Sequence, residues 1–502
     1  MPQTMLPHFN FDNSYARELQ GLYLAWQPAA VPAPRLLYLN HDLCAELGLD
    51  AAALQGEAGA ALFAGNRLPE GAAPLAQAYA GHQFGNFSAQ LGDGRALLLG
   101  ELIDPRGRRR DIAFKGSGRT PFSRGGDGKA ALGPMLREVL IGEAMHALGI
   151  PTTRALAVAA TGEPVQRETP LPGAVLTRVA ASHLRVGTFQ MFAARGELDK
   201  LRALAEYAIA RHDMGLAGTP ERYLGLLRAV AERQAALLAQ WMNVGFIHGV
   251  MNTDNMTISG ETIDYGPCAF MEAYDPGTVF SSIDHQGRYA YSNQPLIARW
   301  NLARLAEALL PLMAAPDDAP AVRQAVAQVT TVIDDFPPLY GAALRRGQRA
   351  KLGLQGRDDD AADSALADDW LALLQAQQVD FTLAWRRLAD AADGDEVPLL
   401  ALFSEPQAAK AWLARWRQRL AHEAGTAAER ATQMRAVNPW LIPRNHRVEQ
   451  ALEAASTRGD LAPFEQLLAA LRHPFDETPE HAALAEPAEA AVTACYRTFC
   501  GT

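Results

Sequence analysis

Residues 245–256 read Gly-Phe-Ile-His-Gly-Val-Met-Asn-Thr-Asp-Asn-Met, and residues 263–266 read Ile-Asp-Tyr-Gly. The first segment starts where an apolar helical pattern ends, and it continues as a polar loop that carries His248, Asp254 and Asn255. The second segment follows a β-like run and brings the carboxylate of Asp264 back toward that loop. The stretch therefore predicts a helix end, a loop and a returning hairpin that together form a polar site.

The spacing within this stretch equals that of a protein-kinase catalytic loop. The interval from His248 to Asn255 matches H-R-D-x-x-x-x-N, and Asp264-Tyr-Gly stands where D-F-G would be. Asn255 and Asp264 offer oxygen ligands that suit Mg²⁺, or Mn²⁺ in its place. A kinase would carry its catalytic base at position 250, which is Val250 here, and the nearest carboxylate is Asp254. This difference argues against ordinary phosphorylation of a hydroxyl group. His248 is predicted to organise the loop through backbone hydrogen bonds.

A lysine and a helix glutamate occur upstream in the order that a kinase-like site requires. Lys115 ends an alternating strand over residues 111–115 that resembles the V-A-I-K pattern. The apolar-periodic helix over residues 131–148 carries Glu138 and Glu143. Five positions at 3.6 residues per turn separate their directions by about 140°, so only one of them can face Lys115. We predict that Glu138 is the partner of the lysine.

The surrounding patterns predict an α+β protein. Short β-like runs occupy residues 95–103, 111–115, 155–160 and 173–179, and helical patterns later cover 198–217 and 220–244 with a β-like interruption at 256–265. A Pro-rich linker is predicted over 27–34 and a helix over 41–47. We expect a protein-kinase-like two-lobe fold: an N-terminal extension over 1–90 packed on the core, a nucleotide-binding lobe over 91–181 with one key helix, and a helical lobe over 182–502 with the catalytic loop and a C-terminal tail.

Two glycine-rich stretches could approach phosphates through their backbone N–H groups: Leu91-Gly-Asp-Gly-Arg95 and residues 116–129. Neither matches G-x-G-x-x-G or G-x-x-x-x-G-K-[ST]. The longer stretch follows the lysine strand instead of preceding it, which indicates that the nucleotide does not lie in the usual kinase orientation. Arg178 and Arg185 flank the predicted junction between lobes, where a guanidinium could grip phosphate or form a surface salt bridge.

Composition excludes several classes of function. The 502 residues carry a formal net charge of -10, whereas nucleic-acid-binding proteins usually present a basic surface. No run approaches the ~18 consecutive apolar residues of a membrane span, and residues 1–12 lack a targeting pattern. Four cysteines without a C-x-x-C pair argue against structural zinc. We therefore expect a cytoplasmic protein without nucleic-acid or membrane partners.

With these residues assembled, the chain resembles the selenoprotein O family, also called protein adenylyltransferase SelO. The resemblance covers nearly the whole chain. It is carried by Tyr79-Ala-Gly-His-Gln-Phe-Gly85, Leu91-Gly-Asp-Gly-Arg95, Phe114-Lys-Gly-Ser-Gly-Arg-Thr-Pro-Phe-Ser-Arg124, His248-Gly-Val-Met-Asn-Thr-Asp-Asn255, Ile263-Asp-Tyr-Gly-Pro267, Asn438-Pro439 and Arg444-Asn445.

The resemblance implies a kinase-like fold that binds ATP in a flipped orientation. AMP is then transferred to Ser, Thr or Tyr hydroxyls of protein substrates, and some members of the family also transfer UMP from UTP. By similarity, Asp254 would be the proton acceptor, and Asn255 and Asp264 the ligands of Mg²⁺ or Mn²⁺. The residues expected at the nucleotide are Gly92, Gly94, Arg95, Lys115, Asp127, Gly128, Arg178, Arg185 and Asp264.

Two other functions use the same residues. A phosphotransferase would differ only in the orientation of the nucleotide and would transfer the γ-phosphate. A nucleotide-binding pseudokinase scaffold would lack transfer altogether, and it is disfavoured because Lys115 and both predicted metal ligands are present. Metal-independent binding of ATP without transfer would favour the scaffold.

The cysteines near the carboxyl end suggest a redox hypothesis. Eukaryotic members of the family carry selenocysteine close to this end, whereas this chain has Cys495 and Cys500. Cys268 follows Asp264-Tyr-Gly-Pro, where a kinase activation segment would begin. One hypothesis is a regulatory disulfide between Cys268 and Cys500 or Cys495, since cytosolic disulfides are usually regulatory. The alternative is that Cys268 is a small buried residue and that the tail thiols are free.

Overall fold

The strands of the described residues form one large antiparallel sheet and two small two-stranded sheets. The computed structural model describes residues 8–356 and 360–499. Its strands are β1 (Tyr23–Ala25), β2 (Arg35–Leu39), β3 (Leu75–Gln77), β4 (Gly81–Gln83), β5 (Asn86–Ser88), β6 (Ala96–Ile103), β7 (Arg109–Lys115), β8 (Ala130–Ala131), β9 (Arg154–Gln166), β10 (Pro170–Ala180), β11 (Phe246–Ile247) and β12 (Ala269–Phe270). The main sheet has the order β1-β3-β6-β7-β10-β9-β2, with β8 paired to β10.

Helices pack on both faces of this sheet and form most of the chain after β10. They are α1 (Ser14–Glu18), α2 (His41–Leu47), α3 (Gly56–Phe63), α4 (Leu132–Ala147), α5 (Val186–Ala194), α6 (Leu198–His212), α7 (Arg222–Val244), α8 (Gln294–Met313), α9 (Ala319–Lys351), α10 (Asp360–Ala376), α11 (Phe381–Ala392), α12 (Val397–Leu400), α13 (Pro406–Leu420), α14 (Ala427–Arg435), α15 (Asn445–Arg458), α16 (Ala462–Leu471), α17 (Ala482–Ala485) and α18 (Ala490–Cys495). The α+β prediction is confirmed.

The alternation of side chains in β7 decides which residues face α4. Ile112 and Phe114 pack into a hydrophobic cluster that also holds Leu43 of α2 and Leu62 of α3. Successive side chains of a strand point to opposite faces, so Lys115 lies on the other face. That face packs against α4, which contacts β9 and β10. The strand thus carries its lysine to the side on which the helix carries its glutamates.

Most predicted elements have the expected type. The predicted strands at 95–103, 111–115, 155–160 and 173–179 correspond to β6, β7, β9 and β10, and the last two are longer than expected because they form one extended hairpin. The helix predicted over 131–148 is α4, and that over 41–47 is α2. The helical pattern over 198–217 is interrupted: α6 ends at His212, and a 3-10 turn follows at Met214–Leu216.

One predicted element is wrong. Residues 256–265 contain no strand; they form a loop with isolated bridges at Thr257 and Thr262. The strand that returns to the loop is β12, which pairs with β11 in the register Phe246 with Phe270. Apolar residues in 256–265, such as Ile258 and Ile263, are buried, so their spacing reflects burial in a loop.

Three strands from residues 8–90 belong to the main sheet. β1 and β3 extend it on one edge, and β2 forms the other edge beside β9. The division of the chain at residues 90 and 181 stays a prediction. Among the described residues, no helix is both long and apolar enough to cross a bilayer.

Candidate active site

A cavity of about 760 Å³ is lined by residues of the glycine-rich stretches and the lysine strand, and by residues of the loop that carries Asp254. Its lining includes every residue that the sequence analysis assigned to nucleotide, metal or proton transfer: Gly92, Gly94, Arg95, Lys115, Asp127, Gly128, Arg178, Arg185, Asp254, Asn255 and Asp264. Residues separated by more than 150 positions in the chain therefore meet in one place. The functional roles of these residues stay predictions.

Lys115 lies between two carboxylates at the inner part of this cavity. Its Nζ donates to Oε1 of Glu138 and, at 2.6 Å, to Oδ1 of Asp264. Arg178 donates to the same Oδ1 at 2.7 Å and lies 4.0 Å from Oε2 of Glu138. Two cations and two carboxylates thus hold one another in a buried network, in which geometry is fixed by charge-assisted hydrogen bonds.

The choice between the two glutamates of α4 is confirmed in favour of Glu138. Glu143 faces away from Lys115 and binds Arg154 with both carboxylate oxygens, at 2.6 and 3.0 Å. Its remaining neighbour is Arg472, at 3.6 Å. Glu143 therefore belongs to a structural ion pair between α4 and β9.

Asp264 combines an unusual backbone with a strongly stabilised charge. Its φ of 61° lies in the left-handed region, which a residue other than glycine seldom adopts and which concentrates at functional sites. Burial opposes ionisation, but the cations of Lys115 and Arg178 hold the pKa of Asp264 well below its usual range. Asp264 is therefore an anion at neutral pH, as a metal ligand must be.

Asp254 lies in a different electrostatic environment. Burial raises its pKa to about 6. Its Oδ2 accepts a hydrogen bond of 3.2 Å from the amide of Gln83, while its Oδ1 is buried and accepts none. A carboxylate with a pKa near neutrality and an unused acceptor atom suits a general base.

The buried side chain of His248 forms hydrogen bonds with backbone groups of the loop around Asp254 and of the segment that leads to Asp264. His248 is bonded to the carbonyl oxygen of Ile263 at 2.9 Å, and its Nδ1 accepts from the N–H of Val250 at 3.3 Å. Burial lowers the pKa of His248. The prediction that this histidine organises the loop is confirmed.

The donor set fits a magnesium ion. The amide nitrogen of Asn255 donates to the carbonyl oxygen of Val250 at 3.0 Å, so the amide oxygen is the atom left for a ligand. Asn255 and Asp264 line the same cavity. Mg²⁺ typically takes one or two protein oxygens and completes its shell with waters and phosphates. Across residues 8–356 and 360–499, no cluster of three or more His, Cys, Asp and Glu side chains is arranged to hold a metal, so a metal here would depend on this small set.

The two glycine-rich stretches pack on each other at the cavity wall. A Cβ at Gly92 would fall 2.3 Å from the Phe122 ring, and one at Gly128 would fall 2.1 Å from the carbonyl oxygen of Gly118. Both Gly92 and Gly128 have positive φ. Thr120 of the longer stretch also donates to the carbonyl oxygen of Asp93 at 2.6 Å. Only glycine leaves room for the Phe122 ring against Gly92, and for the close approach of two backbone segments of the longer stretch at Gly128.

Side chains that had no role assigned from the sequence hold two of the predicted nucleotide-binding residues, Arg185 and Asp127. Arg185 stacks over the ring of Tyr79 with its guanidinium carbon 4.4 Å from the centroid, and it lies 3.4 Å from Oδ1 of Asp93. Asp127 is held by Arg167 at 2.9 Å. The string from Tyr79 to Gly85 was distinctive in the sequence, but nothing in it indicated contact with a loop 170 positions away.

The disulfide hypothesis is not supported by the described cysteines. Cys268 and Cys495 are both free; Cys268 is buried and Cys495 is exposed. Burial raises the pKa of the Cys268 thiol to about 11. Cys500 lies outside the described residues.

A strand lysine paired with a helix glutamate, two candidate metal ligands and a separate carboxylate are typical of enzymes that act on nucleoside triphosphates. The family profile of protein adenylyltransferase SelO matches residues 6–472. The chain is similar to the protein nucleotidyltransferase YdiU of Cereibacter sphaeroides, with 63% identity over 495 residues, 98% of this chain and 100% of the relative. It is also similar to YdiU of Chromobacterium violaceum (62% identity, 95% and 99% of the two chains) and of Rhizobium meliloti (57%, 98% and 99%).

The chain therefore belongs to the protein adenylyltransferase SelO family. This membership confirms the resemblance noted in the sequence and the prediction of a nucleotidyltransferase.

Proposed function

We propose that this protein transfers AMP from ATP to Ser, Thr or Tyr hydroxyls of proteins and releases pyrophosphate. The observation that carries the proposal is the meeting of Asp254 with Lys115, Asn255 and Asp264 in one cavity, where Val250 occupies the position of a kinase base. Family membership and the nucleotidyltransferase names of the relatives support it. UTP is a second donor that the family resemblance suggests.

The proposed fold is the kinase-like two-lobe arrangement. In favour of it, β6, β7, β9 and β10 form a sheet that carries α4, and the chain after residue 182 is mainly helical. Lys115 comes from the sheet, whereas Asp254 and Asn255 come from the helical part. A nucleotide between these parts would contact both the glycine-rich stretches and the loop.

The proposed reaction is an attack by an acceptor hydroxyl on the α-phosphorus. The hydroxyl oxygen bonds to that phosphorus, the bond to the bridging oxygen of the β-phosphate breaks, and pyrophosphate leaves with the bonding electrons. The hydroxyl proton passes to the carboxylate of Asp254, which is needed because a hydroxyl is a weak nucleophile while protonated.

Charge is handled by the other side chains of the cavity. Lys115, Arg178 and Arg185 place fixed positive charge beside the bound triphosphate, where it offsets the negative charge that develops during transfer. Glu138 fixes the position of the lysine. Mg²⁺, when bound to Asn255 and Asp264, supplies further positive charge to the phosphate oxygens.

The test uses ATP labelled at either the α- or the γ-phosphate, with Mg²⁺ and an added denatured acceptor protein. We expect label in protein from the α-phosphate alone, lost in Asp264→Ala and Asp254→Ala. Asp334→Asn, on an exposed helix surface, serves as a matched control and should transfer normally. Label from the γ-phosphate alone would show a kinase, and ATP binding without any label would show a scaffold. Substitution of UTP in a parallel reaction reports the second donor.

A further inference from the structure

The segment from Tyr79 to Ser88 lies against the loop that carries Asp254. β4 and β5 form a hairpin in it, with Gly81 opposite Ser88 and Gln83 opposite Asn86. The hairpin belongs to neither glycine-rich stretch, and it has no part in the proposed mechanism so far. Gln83 and Phe84 nevertheless line the cavity beside Asp254.

Three consecutive residues of the hairpin bond to three consecutive residues of the loop. The N–H of His82 donates to Oγ1 of Thr253 at 2.7 Å, and the N–H of Phe84 donates to Oδ1 of Asn252 at 3.1 Å. Between them, the side chain of Gln83 donates to Oδ2 of Asp254 at 3.2 Å. The flanking backbone bonds fix where Gln83 stands, and Gln83 in turn fixes the carboxylate.

The close approach of the two segments depends on Gly81. A Cβ at Gly81 would fall 2.7 Å from Oδ1 of Asp254 and 2.9 Å from a methyl group of Leu91. The φ of Gly81 is not positive, so glycine is needed here for space and not for backbone conformation. Gly81 therefore bounds the carboxylate on one side while Gln83 holds it on the other.

The hairpin is itself anchored to α5. Gln190 of that helix bonds Nδ1 of His82 at 2.8 Å and accepts from Oγ1 of Thr253 at 2.6 Å. The N–H of Ala80 donates to the carbonyl oxygen of Gly187 at 3.0 Å. These bonds connect the hairpin, the helix and the loop. The backbone of Gln83 is therefore held in place relative to Asp254.

We propose that Gln83 is a positioning residue, which holds the Asp254 carboxylate in the orientation for accepting the proton of the acceptor hydroxyl. Gly81 leaves the space that the carboxylate occupies. This inference rests on the proposed function, because it assigns Asp254 as the base. It predicts that loss of the amide slows transfer without weakening ATP binding, since the cations that hold the triphosphate lie elsewhere in the cavity.

The experiment compares Gln83→Ala, Gln83→Glu and Gly81→Ala with wild type and with Gln90→Ala, an exposed glutamine just after the same hairpin. Pyrophosphate release over a series of ATP concentrations gives kcat and KM, and calorimetry gives the dissociation constant of ATP. Thermal melting shows that each variant is folded.

For Gln83→Ala we expect kcat to fall roughly tenfold, as for loss of a hydrogen bond to a charged group, with the KM and the dissociation constant of ATP unchanged. Gln83→Glu keeps the length of the side chain but replaces the donor with a second carboxylate, so its kcat should fall at least as far. A role in packing alone would spare this variant. Gly81→Ala should also lower kcat, because its methyl group displaces the carboxylate.

Wild-type kcat in Gln83→Glu would overturn the inference alone, and so would a kcat of Gln83→Ala equal to that of Gln90→Ala. A parallel loss of ATP affinity and kcat would also overturn it, since it would show a general disruption of the cavity. Absence of α-phosphate transfer by the wild-type protein would instead refute the proposed function, and this inference with it.

Discussion

The two glutamates of α4 offer a matched pair of substitutions, Glu138→Gln and Glu143→Gln. Both carboxylates are buried, at 5% and 2% exposure, and both are ion-paired. They differ in their partners: Glu138 binds Lys115 in the cavity, whereas Glu143 binds Arg154 outside it. One substitution should therefore lower activity and stability, and the other stability alone.

The magnitudes follow from these contacts. Removal of one partner from a buried ion pair costs about 3–5 kcal/mol. Glutamine keeps one acceptor oxygen, so Glu143→Gln should lose about 2 kcal/mol, the value of one charged hydrogen bond. In Glu138→Gln, Lys115 retains its contact with Asp264 at 2.6 Å, so this variant should lose no more stability than Glu143→Gln. Its effect on chemistry is larger, because a lysine displaced by about 1 Å lowers kcat/KM roughly 100-fold.

The assay is transfer of label from α-labelled ATP at a temperature where both variants are folded, with urea denaturation to measure the free energy of unfolding. We expect Glu143→Gln to keep the wild-type kcat/KM and Glu138→Gln to show a kcat/KM roughly 100-fold lower. The free energies of unfolding of the two variants should be similar. Wild-type kcat/KM in Glu138→Gln, or an equal loss in both variants, would refute the assignment of Glu138 to the lysine.

Three further outcomes are expected. Burial raises the pKa of Asp254 to about 6, and a general base must be ionised to accept a proton. The kcat should therefore fall as the pH drops below that value, while the affinity for ATP stays the same. A kcat that does not change between pH 7 and 5 would contradict this prediction. The guanidinium of Arg444 lies 2.7 Å from Glu272 and 2.6 Å from Asp380, so Arg444→Met leaves both carboxylates without this partner. The substitution should lower the free energy of unfolding, measured in urea, by about 3–5 kcal/mol and leave kcat unchanged. An unaltered midpoint of urea denaturation would contradict this prediction. Removal of divalent metal with EDTA should abolish transfer and leave the melting temperature unchanged, and transfer that persists in EDTA would exclude the metal.

The sequence predicted much of the site because chemistry constrains local patterns. A strand that ends in Lys115 and a loop that ends in Asn255 each have a spacing set by the few neighbouring residues. The helix over 131–148 and the strands of the sheet followed from apolar periodicity, which reports burial directly. Periodicity failed at 256–265, where the apolar residues are buried in a loop instead of a strand.

The amino-acid sequence by itself determined the α+β class, the order of the motifs and the departure at Val250, because each of these depends on residues close together in the chain. Only the tertiary structure decided which glutamate meets Lys115 and which side chain holds Asp254. Gln83 and Asp254 are 171 positions apart, and their contact depends on how the hairpin packs between α5 and the loop. Such a contact is set by the packing of whole elements, which no local spacing records.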